Sequence, residues 1–344
     1  MKAGDFFAKQ KDNTHTAIMR YTKLLTCLAI IIGLTACKEE EKQQDLTLSK
    51  EEMIKDSLAL HVAVFPCEGA LPLYYAEAKG LLQEEADIRL VHLSTMEDCD
   101  TALTQGHAEI ALTDMGRAIC MRKDGYRATI LAQVYGSIGL YTHQTTRINE
   151  VKQLKERIVA LDRHSESDYY SDQLAEGARL ERLDIFRTQF NNHKLREEML
   201  SNKLVDGAFL DEPYGTLAIE HGAKCIWSRS DKDASWNVLA SPTKMLKDKR
   251  RMEQAASLIR AYEKAVEALQ DTTKNEMQDL LKQYYAIPNA EIDTLASIQV
   301  SVKPQPLKSP KADNIELARN WLVKRGWISN QLPTDSISSN MLFK

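Results

Sequence analysis

Apolar positions along the chain follow two patterns. Short, nearly continuous apolar runs are bounded by turn residues, and longer stretches carry apolar residues three and four apart, so buried strands alternate with amphipathic helices. The clearest run is 205–210, which ends in Asp211-Glu212-Pro213-Tyr214, where Pro213 moves Glu212 out of the helical region. A second copy lies upstream. Glu109-Ile110-Ala111-Leu112-Thr113-Asp114 repeats the order acid, any residue, Ala, apolar, any residue, Asp of Asp206-Gly207-Ala208-Phe209-Leu210-Asp211. As parallel strands of an α/β protein, both copies would end at the edge where such sheets bind ligands, bringing Asp114 and Asp211 to one cleft between two similar lobes.

The rest of the chain supports that plan. Strands are predicted at 59–65, 87–93, 108–113, 157–161 and 225–227. Helices are predicted after Pro72, from Ser94-Thr95 to Gly106, from 163 to about 182, around Leu195, Met199 and Leu204, and from 275 to 284. Ala255, Leu258, Ile259, Tyr262, Val266 and Leu269 mark a long amphipathic helix, and Leu317, Ala318, Trp321 and Leu322 the buried face of a last one, stopped by Gly326. Gly116 reads as relief for the turn after Asp114. The extended stretch 128–141, broken at Gly136-Ser137 and Gly139, suits a crossing between lobes, and 236–240 a return. This gives 58–138 plus 242–344 as the first lobe and 139–241 as the second.

Composition adds a compartment. Arg20 and Lys23 precede an apolar run, 24–34, that is shorter than the roughly 20 residues a bilayer span needs and fits a secretory signal. Leu34-Thr35-Ala36-Cys37 resembles a bacterial lipobox, which makes Cys37 the lipidation site, 1–36 the signal peptide with Met19 a better start than Met1, and 37–57 an anchor and tether. The acidic Lys38-Glu39-Glu40-Glu41 also resembles a surface-export signal, so the anchored protein faces either the periplasm or the exterior. With 43% hydrophobic and 27% charged residues and a formal net charge of -4, the chain is globular and a poor partner for nucleic acid. Cys67, Cys99, Cys120 and Cys225 remain after export; no CxxC occurs, three full pairings are open, and buried free thiols are the preferred reading.

Candidate chemistry sits at the strand ends. Glu68, Asp114, Asp211 and Glu212 bring carboxylates to the inferred cleft, while Arg117 and Arg163 are the basic candidates. Ser165 and Ser167, at the start of a helix, offer hydroxyls and free N–H groups to an electronegative ligand end, although the same residues serve as ordinary caps. Tyr74, Tyr135, Tyr214 and Trp236 are candidate flat walls, with Ser137 at the hinge. Asp211 and Glu212 have a purely structural alternative as turn caps before Pro213. The chain lacks HExxH, GxSxG, GxxxxGK and GxGxxG, and its eight histidines show no metal-ligand spacing. No cofactor or metal is expected.

Together these residues resemble the solute-binding lipoproteins of ABC importers, of the sulfonate, nitrate and thiamine-precursor type. The resemblance spans about 58–328. It is carried by Leu71-Pro72-Leu73-Tyr74-Tyr75-Ala76-Glu77-Ala78-Lys79-Gly80-Leu81, by Gly106-His107-Ala108-Glu109-Ile110-Ala111, by Val151 through Ala160, by Asp206 through Pro213 and by Trp321-Leu322. Glu156 departs from it, standing in a loop where that family often has Gly. The resemblance implies a two-lobed type II periplasmic-binding fold, a hinge, and a monomeric receptor that clamps one small molecule and passes it to an ABC permease. Glu68, Asp114, Tyr135, Ser137, Ser165, Ser167, Asp211, Glu212 and Tyr214 are the expected ligand-binding set. The carboxylates favour an amine-bearing or heteroaromatic solute, such as a thiamine-precursor-like pyrimidine or an amino-sulfonate. A biosynthetic enzyme on the same fold, and a sensory or scavenging lipoprotein without a permease, are the alternatives.

Overall fold

The computed structural model describes residues 55–230, 234–333 and 337–343. The expected signal peptide, the expected lipobox with Cys37 and most of the expected tether lie outside these residues. Ser57–Lys344 form one compact unit built on two mixed five-stranded sheets. The first contains β1 (Leu60–Val64), β2 (Ile88–His92), β3 (Ile110–Asp114), β4 (Ala128–Gln133) and β10 (Asn237–Pro242), in the order β2-β1-β3-β10-β4. The second contains β5 (Gly139–His143), β6 (Arg157–Leu161), β7 (Ile185–Gln189), β8 (Gly207–Leu210) and β9 (Ala223–Ser228), in the order β7-β6-β8-β5-β9.

The two orders are the same pattern. In each sheet the strand carrying the repeated motif, β3 or β8, is third; it runs parallel to one neighbour, β1 or β6, and antiparallel to the other, β10 or β5. The repeat extends to its side chains. The acid that opens each copy accepts a backbone N–H from the neighbouring parallel strand: Glu109 from His61 at 2.9 Å, and Asp206 from Ile158 at 2.9 Å. Each acid's own N–H returns a bond to the same residue's carbonyl. The sequence repeat is therefore a structural repeat, with the opening acid of each copy tying its strand to the parallel neighbour.

The extended stretch predicted over 128–141 is two strands, β4 and β5, one in each sheet, joined through Gly136 and Ser137. The return strand β10 pairs with β3 and β4, so the first sheet takes in residues that a boundary at 241 would assign to the second lobe. Helices cover both sheets: α1 (Leu71–Ala78), α2 (Met96–Gln105), α3 (Met115–Lys123), α4 (Glu166–Gly177), α5 (His193–Ser201), α6 (Tyr214–Glu220), α7 (Lys249–Leu269), α8 (Lys274–Tyr285), α9 (Ile292–Gln299) and α10 (Ala312–Lys324). Several expectations are corrected. The turn after Asp114 is the start of α3, with Asp114 as its cap. The turn at Pro213 leads into α6, and 292–299 is a further helix. Leu317, expected inside, is 46% exposed, because α10 turns Ile315, Ala318, Trp321 and Leu322 inward.

The largest correction concerns α5. Its predicted apolar face, Leu195 and Met199 leading to Leu204, is not the buried one: Leu195 and Leu204 are exposed, and His193, Arg196, Glu197 and Leu200 are buried. At Glu156 the backbone adopts φ 59°, the left-handed region that Gly occupies without strain, so the residue that departs from the family pattern stands where the loop demands what Gly supplies. Cys67 and Cys99 are buried thiols, Cys120 is half-buried and Cys225 is exposed; all four are free.

Gly116, in the first turn of α3, faces the second lobe at close range. A Cβ there would lie 2.3 Å from the carbonyl oxygen of His164, a backbone atom that no rotamer change can move aside. Gly116→Ala is expected to hold the lobes apart while each sheet stays folded. Small-angle scattering should show a larger radius of gyration than wild type, with the circular dichroism spectrum unchanged; superimposable scattering curves would show that the contact does not set closure.

Candidate functional site

The cleft is built where the strands β3 and β8 end. The first turn of a helix leaves N–H groups without intrahelical partners, and here each lobe answers the other. Asp114, at the end of β3, accepts the N–H of Glu166, the first residue of α4, at 2.9 Å. Asp211, just past β8, accepts the N–H of Glu68, the first residue of the short 3-10 turn (Glu68–Ala70) that leads into α1, at 3.3 Å. The two contacts are counterparts under the internal repeat. Asp114 also accepts from Gly116 N–H at 2.7 Å, so both its oxygens are engaged.

Beneath this pair lies a compact ionic network. Arg196 meets Asp162 at 2.6 Å, and His193 lies between Asp211 at 2.5 Å and Asp162 at 3.4 Å. Burial pushes the Asp162 carboxyl up, but Arg196 and His193 outweigh it and hold the pKa below the usual range. Burial works against the His193 cation, yet Asp211 and Asp162 prevail and raise its pKa. Glu166 pairs with Arg229 at 3.1 Å and accepts the N–H of Trp236, so it ties both hinge segments to the start of α4. Arg229 donates to the Gly136 carbonyl on the other hinge segment.

The expected ligand residues divide into two groups. Asp114, Ser137, Ser165, Ser167 and Asp211 line one interlobe cavity together with Asp162, Glu166, His193, Arg196 and Asn237. Ser165 caps α4, and its hydroxyl and that of Ser167 also donate to the Asp162 carbonyl. The others lie beside the cavity. Glu68 accepts the N–H and hydroxyl of Ser137 at 2.6 and 2.5 Å, locking the hinge. Glu212 accepts from Thr216 N–H and from Gln299 of α9, and burial raises its pKa. Tyr214 is buried and donates to the Tyr285 carbonyl. Tyr135 lies about 6.0 Å from the Arg229 guanidinium. Tyr74 stacks on Tyr284, and Trp236 on Tyr169, so the four aromatics form no common wall.

The basic residues also differ from expectation. Arg117 is drawn to Asp100 at 2.5 Å, and Arg163 donates to the Arg187 carbonyl. The cations at the cleft are instead Arg196, His193 and Arg229. His193, Arg196, Glu197 and Leu200 recur at helical spacing, and that polar stripe was the readable signal of an inward charged face. The interlobe cavity has about 30 Å³ of space, enough for a water or two and too little for an organic solute. A solute can enter only as the interlobe bonds exchange. Among the described residues, no group of His, Cys, Asp and Glu is placed to hold a metal ion, and no helix is long and apolar enough to cross a membrane.

The NMT1/THI5-like family model matches residues 69–275, more than half of the 344-residue chain. The chain belongs to the NMT1/THI5-like family. Comparison with curated proteins gave no match. Solved structures with the same fold include the periplasmic aliphatic sulphonate-binding protein of Escherichia coli, with 15% identity over 81% of this chain and 90% of that one and a TM-score of 0.65. The alkanesulfonate-binding protein of Xanthomonas axonopodis pv. citri, bound to MOPS, shares 12% identity over 82% and 98%, with a TM-score of 0.70. The periplasmic nitrate-binding protein of Synechocystis PCC 6803 shares 14% over 83% and 87%, with a TM-score of 0.68. The matched NMT1/THI5-like segment begins at Gly69, beside the Glu68–Asp211 contact, and contains Asp114, the α4 cap, α5 and Asp211.

Glu68 makes this site sensitive to pH. Burial raises its pKa to about 7, only partly offset by the Ser137 donors, with Glu212 and Asp211 adding to the rise. The folded chain therefore holds a proton that the unfolded chain releases near its ordinary value of 4.5. The associated stability is fully present below that value and is lost as pH rises through about 7. Against Glu68→Gln, which keeps an acceptor for Ser137 but cannot ionise, wild type should lose stability across this interval, by about 3 kcal/mol at most. Urea midpoints that run parallel for both proteins from about pH 4.5 to 7 would remove Glu68 from this role.

Proposed function

We propose that the protein is the lipid-anchored solute-binding receptor of an ABC importer, closing its two lobes on one small organic solute and delivering it to a permease. The observation that carries this reading is the reciprocal pair of interlobe bonds, Asp114 to Glu166 N–H and Glu68 N–H to Asp211, set at the strand ends of a hinged pair of lobes. Such bonds are made and broken together as the lobes move, which is the hinge closure known from periplasmic binding proteins. Membership of the NMT1/THI5-like family, and a fold shared with sulfonate- and nitrate-binding proteins, support the same role.

The cleft's charges guide the choice of solute. Asp211, with Glu68 beside it, receives a cationic or N–H donor end; Arg196, His193 and the first turn of α4 receive an electronegative end, displacing the Asp114 carboxylate. A simple inorganic anion satisfies only half of this arrangement and leaves buried carboxylates facing it. The solute is therefore a small molecule with both features, as in an amino-sulfonate or an aminopyrimidine. The acid–base pairs of the site are held in ion pairs within a folded network, which suits binding without turnover. The anchor is Cys37, through the signal and lipobox that precede it, and the receptor acts as a monomer.

A thermal-shift screen of amino-sulfonates, aminopyrimidines, sulfonates and nitrate tests the reading, because a ligand at a hundred times its Kd adds about 2.7 kcal/mol of stability. At least one bifunctional solute should stabilise the protein, and Asp211→Asn should weaken its binding by about 1.5–3 kcal/mol. Chemical conversion of that solute by the purified protein would overturn the receptor reading in favour of an enzyme, and a response to nitrate alone would overturn the choice of solute. For the anchor, labelled palmitate is expected to enter wild type and to be lost in Cys37→Ser; label retained in the variant would disprove lipidation there.

A further inference from the structure

A second concave site lies outside the cleft, between the C-terminal half of α4 and the end of α10. It has a volume of about 330 Å³, at the lower end of the range of small-molecule pockets. Because α10 packs on α3 of the first lobe and α4 belongs to the second, the groove is shared by both lobes. A larger groove of about 480 Å³ lies wholly within the first lobe, and its Arg251 is already bound to Glu109 at 2.7 Å.

The groove between α4 and α10 has an aromatic floor and an excess of positive charge. Trp321 and Trp327 meet edge to face at 5.1 Å, with Ala175 and Leu180 beside them. The Arg325 guanidinium lies 4.3 Å from the centre of the Trp327 ring, and its side chain is only 8% exposed. One of its terminal nitrogens donates to Asp172 at 3.3 Å, but its Nε has no hydrogen-bond partner among the described residues. Leaving a buried guanidinium donor unmatched costs free energy, and the same side chain lines the groove. Asp172 does not match that donor, being already shared among Trp321 Nε1 at 3.0 Å, Arg325 and Arg187 at 3.4 Å. At the rim, Lys324 makes only an exposed pair with Glu176, and Arg182 makes no ion pair among the described residues. The lining thus carries Arg182, Lys324 and Arg325 against Glu176 and a fully engaged Asp172.

We propose that this groove is a second ligand site, distinct from the interlobe cleft, and that it takes a small aromatic carboxylate. The ring lies against Trp327 and the edge of Trp321, and the carboxylate faces Arg182 and the Arg325 guanidinium. The Trp327 indole gives an apolar contact that an inorganic anion would leave unused, and the cations favour a ring that carries a carboxylate over the same ring without one. The inference goes beyond the receptor reading and does not rest on it.

The test is calorimetric titration of the full chain, held in detergent, with 1-naphthoate and with neutral 1-naphthamide as the charge control. Saturable binding of naphthoate is expected, at least tenfold weaker for the amide. Arg182→Glu, at an exposed position without an ion pair, should weaken naphthoate at least tenfold with the circular dichroism spectrum unchanged, and Trp327→Ala should do the same. Arg196→Gln, in the cleft, should leave naphthoate affinity within twofold of wild type. Absence of saturable heat up to the solubility limit, equal affinity for acid and amide, or loss in Arg196→Gln with none in Arg182→Glu would each overturn the proposal.

Discussion

The structure depends on a carboxylate from one lobe meeting a helix start in the other, made twice. Asp114 and Asp211 stand at equivalent strand ends, and Glu166 and Glu68 open the equivalent helical segments opposite them. An N–H in a helix's first turn has no partner of its own, and a buried carboxylate needs donors, so each lobe completes what the other leaves open. A typical hydrogen bond contributes about 0.5–1.5 kcal/mol net, so two of them hold the lobes without making closure irreversible. A molecule entering the cleft has to offer replacements for both.

The ion pairs below those contacts serve geometry more than stability. Desolvating Arg196, His193, Asp162 and Asp211 costs much of what their mutual attraction returns. What the arrangement secures is position: with Asp162 bound by Arg196 and by the Ser165 and Ser167 hydroxyls through its carbonyl, the α4 cap and the inward face of α5 cannot shift independently. Glu166 extends the same frame to both hinge segments through Arg229 and Trp236. Rotation at the hinge is thereby coupled to the ligand-facing side of the second lobe.

Much of this was legible where the signal is local. The apolar runs of β1, β3 and β8 identify themselves, and the repeat ending in Asp114 and Asp211 places the cleft, because strand burial and strand ends are written within a few residues. Features set by distant atoms were not legible. Gly116 looks like a turn residue; what requires it is the His164 carbonyl across the cleft, and the helix α3 around it was missed for that reason. On α5, Leu195 and Met199 imply the usual apolar interface, yet the helix packs its charges inward because Asp162 and Asp211 await them. Tyr74 and Trp236 were plausible ligand walls by type, but Tyr284 and Tyr169 already cover them.

The second sheet is formed by one uninterrupted stretch of chain, 139–228, while the first is assembled from segments on both sides of it. The second lobe is thus a cassette inserted into the first, tied to it by two short crossings. Modules of this kind can be exchanged between relatives in a single recombination event, but here the junctions are not the whole interface. A transplanted cassette must bring an acid to meet the N–H of Glu68 and a helix start to receive Asp114, so the compatibility of a chimera is decided at two points far from where the chain is cut.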